Sequence, residues 1–159
     1  FMALADRQML DDLEKADLAS MKIRERVLTA VRRRLERALP HREAVRRGLA
    51  ALALPQNAAL ALKSLYRTVD AVWFGIGDTS TDWNFYSKRA ILAGVYGATV
   101  LYWLDDRSEG QAKTWDFLAR RLDEAIKVPR ALVQGFDRLR KLAADFPNPL
   151  RRFDRAFRG

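Results

Sequence analysis

Few residues in this sequence are of a type and spacing that could break bonds. Asp78 and Asp82 put two carboxylates close together in Asp78-Thr79-Ser80-Thr81-Asp82. Paired carboxylates suit acid–base work, but these lie among Thr and Ser just before an apolar segment, where helix capping accounts for them. Gly75-Ile76-Gly77 lacks the further Gly, or the Lys-Ser/Thr, that a nucleotide-phosphate loop needs. The 159 residues include one His and no Cys. That excludes disulfides, zinc-thiolate and Fe–S sites and a cysteine nucleophile, and it argues against a His-built metal site or a Ser-His-Asp triad. No cofactor and no metal are expected, and the chain reads as non-catalytic.

The remaining chemistry is that of surfaces. The formal charge of +9 is unevenly placed. Residues 1–21 carry −3, residues 22–47 carry +7, residues 48–126 carry −1 and residues 127–159 carry +6. Two basic segments therefore flank a near-neutral, aromatic-rich centre, and such segments attract nucleic acid or an anionic membrane. A solvated helix face is the plainer alternative.

The elements that must carry these groups read as helices throughout. All-α is the expected fold class. Apolar residues recur at helical spacing over Ala3–Ala19. The chain opens on Phe1-Met2-Ala3, which reads as a start partway into a longer protein. Ser20 is positioned to cap a second helix with Met21, Ile23, Val27, Val31, Leu35 and Leu39 along one side. Arg24 and Arg34 interrupt that side. Pro40 ends the helix, and a shorter one spans His41–Leu54 before Pro55. A long helix then reaches Trp73 or Phe74, and Gly75 and Gly77 turn the backbone.

The segment from about Trp83 to Trp103 is the most apolar. Its stretch Ala90–Leu104 is fifteen residues, below the roughly 18–20 needed to span a bilayer. Being apolar nearly all round, it should be central. Small residues Ala93, Gly94, Gly97 and Ala98 leave room for a ligand or for a neighbouring helix. Nearby aromatics suit a large apolar ligand, and a packed core suits them equally. A further helix is expected over Gln111–Ile126.

In the segment Arg130–Phe146, residues Leu132, Phe136, Leu139, Leu142, Ala143 and Phe146 fall within an arc of about 120°. Arg130, Arg138, Arg140 and Lys141 lie outside it. A basic amphipathic helix of this kind reads as membrane-surface binding, or as a helix packed on the core or a second subunit. Arg32-Arg33-Arg34 is unaccompanied by zinc-finger spacing or an RNP motif, so no nucleic acid partner is expected.

The run from Trp73 to Tyr96 holds an aromatic pair, then Gly77-Asp78-Thr79-Ser80-Thr81-Asp82, then Phe85-Tyr86, Arg89-Ala90 and Leu92-Ala93. It resembles the signature of the lipid-binding accessory proteins of ubiquinone biosynthesis, the coenzyme-Q-nine family, in its alphaproteobacterial form. Thr114-Trp115, Phe117-Leu118, Arg121-Leu122 and Ala131–Gly135 continue the match, which covers most of residues 10–146.

The resemblance implies a TetR-like helical fold, usually dimeric, whose pocket binds isoprenoid lipids. It implies a domain over residues 1–146 with a basic tail at 147–159, and the helix-turn-helix head of such folds would be absent from this chain. The lipid-binding residues would be Leu65, Val69, Val72, Trp73, Leu92, Val95, Tyr96, Thr99, Trp103, Leu118 and Leu122. Membrane binding would fall to Leu132, Phe136, Arg138, Leu139, Arg140, Lys141, Leu142 and Phe146. Asp82, Phe85, Tyr86 and Arg89 would contact the demethoxyubiquinone hydroxylase. Phe85 stands where relatives often have Trp. The implied protein is a homodimer, cytoplasmic and peripheral on the inner face of the cytoplasmic membrane. It presents a quinone intermediate rather than transforming it. The alternative is a TetR-type transcriptional regulator with a lipophilic effector.

Overall fold

The computed structural model describes residues 2–78 and 84–126, and these fold into six helices. In chain order they are α1 (Met2–Glu14), α2 (Ile23–Ala38), α3 (Arg42–Leu52), α4 (Ala58–Gly75), α5 (Asn84–Asp105) and α6 (Ala112–Ile126). Single 3-10 turns at Leu39–His41, Pro55–Asn57 and Glu109–Gln111 mark the junctions. Two of these contain the prolines that stop the preceding helices. No strand occurs among the described residues. Phe1–Ile126 is one compact unit. The expected boundary at 146/147 and the whole amphipathic segment, Leu132, Phe136, Arg138, Leu139, Arg140, Lys141, Leu142 and Phe146, lie outside the described residues.

α1 packs on α2 and α4 through Met9 and Leu13, both essentially inaccessible. Its approach to α4 is close enough that a Cβ on Gly75 would meet Leu10 Cδ2 at 2.7 Å and Leu13 Cδ1 at 2.8 Å. A side chain at this position would push both leucines aside. The turn after α4 depends on Gly77 instead, whose φ of +80° lies in the left-handed region.

α2 departs from the sequence reading at both ends. It begins at Ile23 rather than directly after Ser20, whose hydroxyl donates to the Asp17 carbonyl at 3.1 Å. The Glu25 carboxylate instead reaches back to accept the Lys22 N–H at 2.9 Å, so the first turn is closed from inside the helix. Ile23 and Leu39, expected on the apolar face, are exposed because they stand at its two ends. Between them Val27, Ala30, Val31, Leu35 and Ala38 are buried. Arg24 ties α2 to α6, donating to Asp123 (2.8 Å from Nη2) and to the Ala119 carbonyl (3.3 Å).

α5 is the central element. It packs on α4 and α6 through Leu92, Val95, Tyr96, Thr99, Val100, Trp103 and Leu104. It is not covered all round: Leu101, Tyr102, Ala90 and Gly94 are exposed. Its C-terminal carbonyls, which no further helical turn can satisfy, are taken up from α3. Arg42 Nη1 donates to the Asp106 carbonyl at 2.8 Å and Arg46 Nη2 to the Leu104 carbonyl at 2.6 Å.

Asp106 then starts α6. Its carboxylate accepts from the Ser108 and Thr114 backbone N–H groups (2.8 and 2.9 Å) and from both hydroxyls (2.6 Å each). Burial pushes this carboxyl up, but those donors outweigh it and hold the acid far below the usual carboxylate range. α6 buries Thr114, Trp115, Leu118 and Leu122.

Candidate functional site

The short helix α3 and the first half of α4 do not close onto α5. Between them lies a cavity of about 480 Å³, a size within the range of small-molecule sites. α2 contributes Arg34, Leu35 and Ala38; α3 contributes Ala44, Val45, Gly48, Leu49 and Leu52. Ala61, Leu62, Ser64 and Leu65 come from α4, and Tyr96, Gly97, Val100, Leu101 and Trp103 from α5. Small residues keep the space open: a Cβ on Gly48 or Gly97 would meet nothing within 4 Å. Leu62 and Leu101, 64% and 63% exposed, line the cavity and also face solvent, so the opening is apolar.

The polar groups of this cavity are few: the half-buried Ser64 of α4 and a buried cluster around Arg34. Arg34, the residue that broke the apolar face of α2, is 4% exposed and sits in its wall. Its guanidinium donates from Nε to Asp6 Oδ1 at 2.8 Å, from Nη2 to Thr68 Oγ1 at 3.2 Å and from Nη1 to Tyr96 Oη. Thr68 donates on to Asp6 Oδ1 at 3.2 Å, and Arg67 Nε reaches Asp6 Oδ2 at 3.3 Å. Four helices are joined by this network, which keeps a buried charge paired. Burial pushes the Tyr96 phenol up, so it stays protonated. Burial works against the Arg34 cation too, but Tyr96 and Asp6 outweigh it and raise its pKa.

Of the residues assigned from the sequence to lipid binding, Leu65, Tyr96 and Trp103 line the cavity. Val69, Val72, Trp73, Leu92, Val95, Thr99, Leu118 and Leu122 are buried in the packed core beside it. That reading missed Arg34 and its neighbours on α2, the apolar face of α3, Leu62 and Ser64 on α4, and Val100 and Leu101 on α5. An arginine on the apolar side of α2, and a glycine inside α3, were the available signals. Of the four small residues singled out on α5, only Gly97 reaches the cavity.

Arg89 is 6% exposed and paired with Asp70 on α4. Asp82, and the side chains of Phe85 and Tyr86, lie outside the described residues. Asp78 accepts from Lys88 Nζ at 3.2 Å. Among the described residues no group of three or more His, Asp or Glu side chains could hold a metal ion, and no helix is long and apolar enough to cross a membrane.

A bundle of this kind, helices throughout the described residues around a filled core with an aliphatic-walled cavity beside it, has a TetR-like all-α fold. A TetR transcriptional regulator of Nitrosomonas europaea has the same fold, with a TM-score of 0.65 over 80% of this chain and 70% of that one, at 23% identity. The chain belongs to the COQ9 family, whose model matches residues 58–129. It is 40% identical over 108 residues to the mitochondrial ubiquinone biosynthesis protein COQ9 of Drosophila melanogaster, covering 68% of this chain and 33% of that protein. The Homo sapiens protein of the same name is 38% identical over 116 residues, covering 67% and 36%. The chain thus spans about a third of the length of these relatives.

Proposed function

We propose that this chain is a non-catalytic lipid-binding domain acting in ubiquinone biosynthesis. It takes an isoprenoid quinone intermediate from the membrane and presents it to a hydroxylase. The observation that carries this reading is the cavity, walled by aliphatic side chains and opening between two exposed leucines. Extracting a polyisoprenoid from a bilayer forfeits about 0.8 kcal/mol per CH2 removed from the apolar phase, so only an equally apolar site can accept it. The names of the relatives supply the pathway. In the proposed arrangement the basic segment 130–146 docks on anionic lipid, and the segment with Asp82, Phe85 and Tyr86 meets the hydroxylase, the buried Arg89 lying behind it in α5. The protein works as a homodimer, peripheral to the membrane.

The test is transfer of a prenylated benzoquinone from anionic vesicles to the protein, read by quenching of tryptophan fluorescence. Saturable quenching that is lost with neutral vesicles is the expected result. Phe136→Asp with Leu139→Asp lowers co-sedimentation with the vesicles while helicity stays intact. Absence of quenching at any quinone concentration overturns the carrier reading.

A further inference from the structure

We infer that the turn joining α3 to α4 inserts into an anionic lipid surface, leucines first, and brings the opening of the cavity against the acyl chains. The insertion stands on the turn alone; that it feeds the cavity rests on the reading of the cavity as a lipid site. From Gly48 to Leu62 the sequence runs fifteen residues without a charged side chain. The fold leaves this run in the open. Leu54, Leu60 and Leu62 are 47%, 55% and 64% exposed, and Ala53, Ala58 and Ala59 among them are exposed too. Exposed apolar surface gathered in one place marks a contact with something apolar. Other turns of the bundle are built for water: the connection after α1 carries Lys15, Asp17 and Lys22, and that after α5 carries Asp106, Arg107 and Glu109.

The arrangement favours lipid over a protein partner. Leu60 and Leu62 stand about 200° apart around α4, so this end of the helix pair is apolar all round rather than along one face. A protein partner covers one face, whereas a fluid apolar phase surrounds the whole end and takes both leucines out of water. The turn also closes much of its own backbone, as a lipid phase requires. Leu54 N–H donates to the Ala51 carbonyl at 3.3 Å and Asn57 N–H to the Leu54 carbonyl at 2.9 Å. Asn57 Nδ2 adds a second donor to the Ala51 carbonyl at 2.8 Å. Gln56 is the remaining polar side chain of the run, which keeps the insertion shallow.

The charges bordering this end say which lipid surface it meets. From residue 44 to residue 69 there are four basic residues, Arg46, Arg47, Lys63 and Arg67, and no acidic one. Arg47 and Lys63 are exposed. Lys63 lies about 8 Å along α4 from its first residue, within the roughly 5–10 Å to which interfacial apolar segments sink. Tyr66 follows one turn further, 38% exposed, and tyrosine is enriched at the headgroup level of a bilayer. The carboxylates of Glu43 and Asp105 are both paired with Arg46, at 3.6 and 2.9 Å. An apolar end collared by cations complements anionic headgroups over hydrocarbon. Gly48, Leu49, Leu52, Ala61 and Leu62 belong both to this end and to the cavity lining, so a lipid reaches the cavity from the inserted turn without crossing water.

The chain has no Cys, so one introduced thiol carries one label. Leu60→Cys and, as a control on α6, Asp116→Cys proteins are labelled with an environment-sensitive fluorophore. Each is mixed with vesicles of phosphatidylcholine and phosphatidylglycerol whose acyl chains are brominated. The label at position 60 is expected to shift to the blue and to be quenched by the bromines, and the label at position 116 to stay unchanged. A Leu54→Asp, Leu60→Asp protein, changed at two exposed sites, is expected to co-sediment with these vesicles at least tenfold more weakly at unchanged helicity. No quenching at position 60, or equal quenching at both positions, overturns the inference. So does vesicle binding by the double variant as tight as that of the wild type. A label at position 60 already shielded from iodide without vesicles shows the turn covered by residues 127–159 or by a second copy, and overturns it as well. Quenching at position 60 in a protein that takes up no prenylated benzoquinone upholds the insertion and overturns the carrier reading instead.

Discussion

α3 and α6 are both short amphipathic helices on the same bundle, and they are held in opposite ways. α6 sinks Trp115, Leu118 and Leu122 into the core, whereas α3 buries no residue completely. Val45, Leu49 and Leu52 of α3 face an open cavity, so their apolar surface is only half removed from water. α3 is anchored by polar contacts from its first half, Arg42 and Arg46 reaching the end of α5. Amphipathicity is therefore no measure of how much a helix is buried. Filled contact makes a structural wall, and unfilled contact makes one that yields to a ligand.

The largest loss is expected at the seam between these two regions. Asp6→Ala leaves Arg34 buried beside the cavity with much of its pairing gone, and removal of one partner from a buried pair costs about 3–5 kcal/mol. Urea denaturation reads the change. A loss below about 1 kcal/mol would show that water reaches Arg34 and that the cavity wall is not sealed.

Next comes a matched pair of truncations. Leu118→Ala, in the filled region, lowers stability by about 3 kcal/mol. Leu49→Ala, on the cavity side, lowers it by about 1 kcal/mol or less, because its side chain has fewer contacts to lose. Equal losses would abolish the distinction between α3 and α6.

A smaller effect than that of Leu118→Ala tests the start of α6. Asp106→Ala costs about 1–2 kcal/mol by leaving the first-turn N–H groups without their acceptor. The Asp106 pKa is lowered from 3.8 by folding, so its contribution is complete above that value and fades as pH falls toward the folded-state pKa. The stability gap between wild type and variant should hold from neutrality down to about pH 5 and narrow below about pH 4. A gap that grows on acidification would contradict the assignment.

Much of this frame is legible in the residues. Periodicity, prolines and glycines placed α4, α5 and α6 to within about two residues, because the breaks between them fall at residues that end or turn a helix. The start of α2 is misread because Ser20 is a stronger cap by type than Lys22, and the Glu25 reach-back that wins is a matter of local geometry. Arg34 looks like a flaw in an apolar face, since its partner Asp6 is remote in sequence. The cavity itself leaves no periodic mark. Whether an apolar residue such as Leu65 meets atoms or empty space depends on how α3 and α4 stand off from α5, which the spacing of apolar residues along one helix does not record.

The central claim is that the space between α3 and α5 holds an apolar lipid. Mass spectrometry of an organic extract tests it most directly, comparing the purified wild type with a Gly48→Leu, Gly97→Leu variant that fills the space from both walls. The expected result is an isoprenoid or other long-chain lipid from the wild type, and its loss from a variant that remains folded. A wild type that carries no lipid and takes up no added quinone, or equal lipid in both proteins, would contradict it.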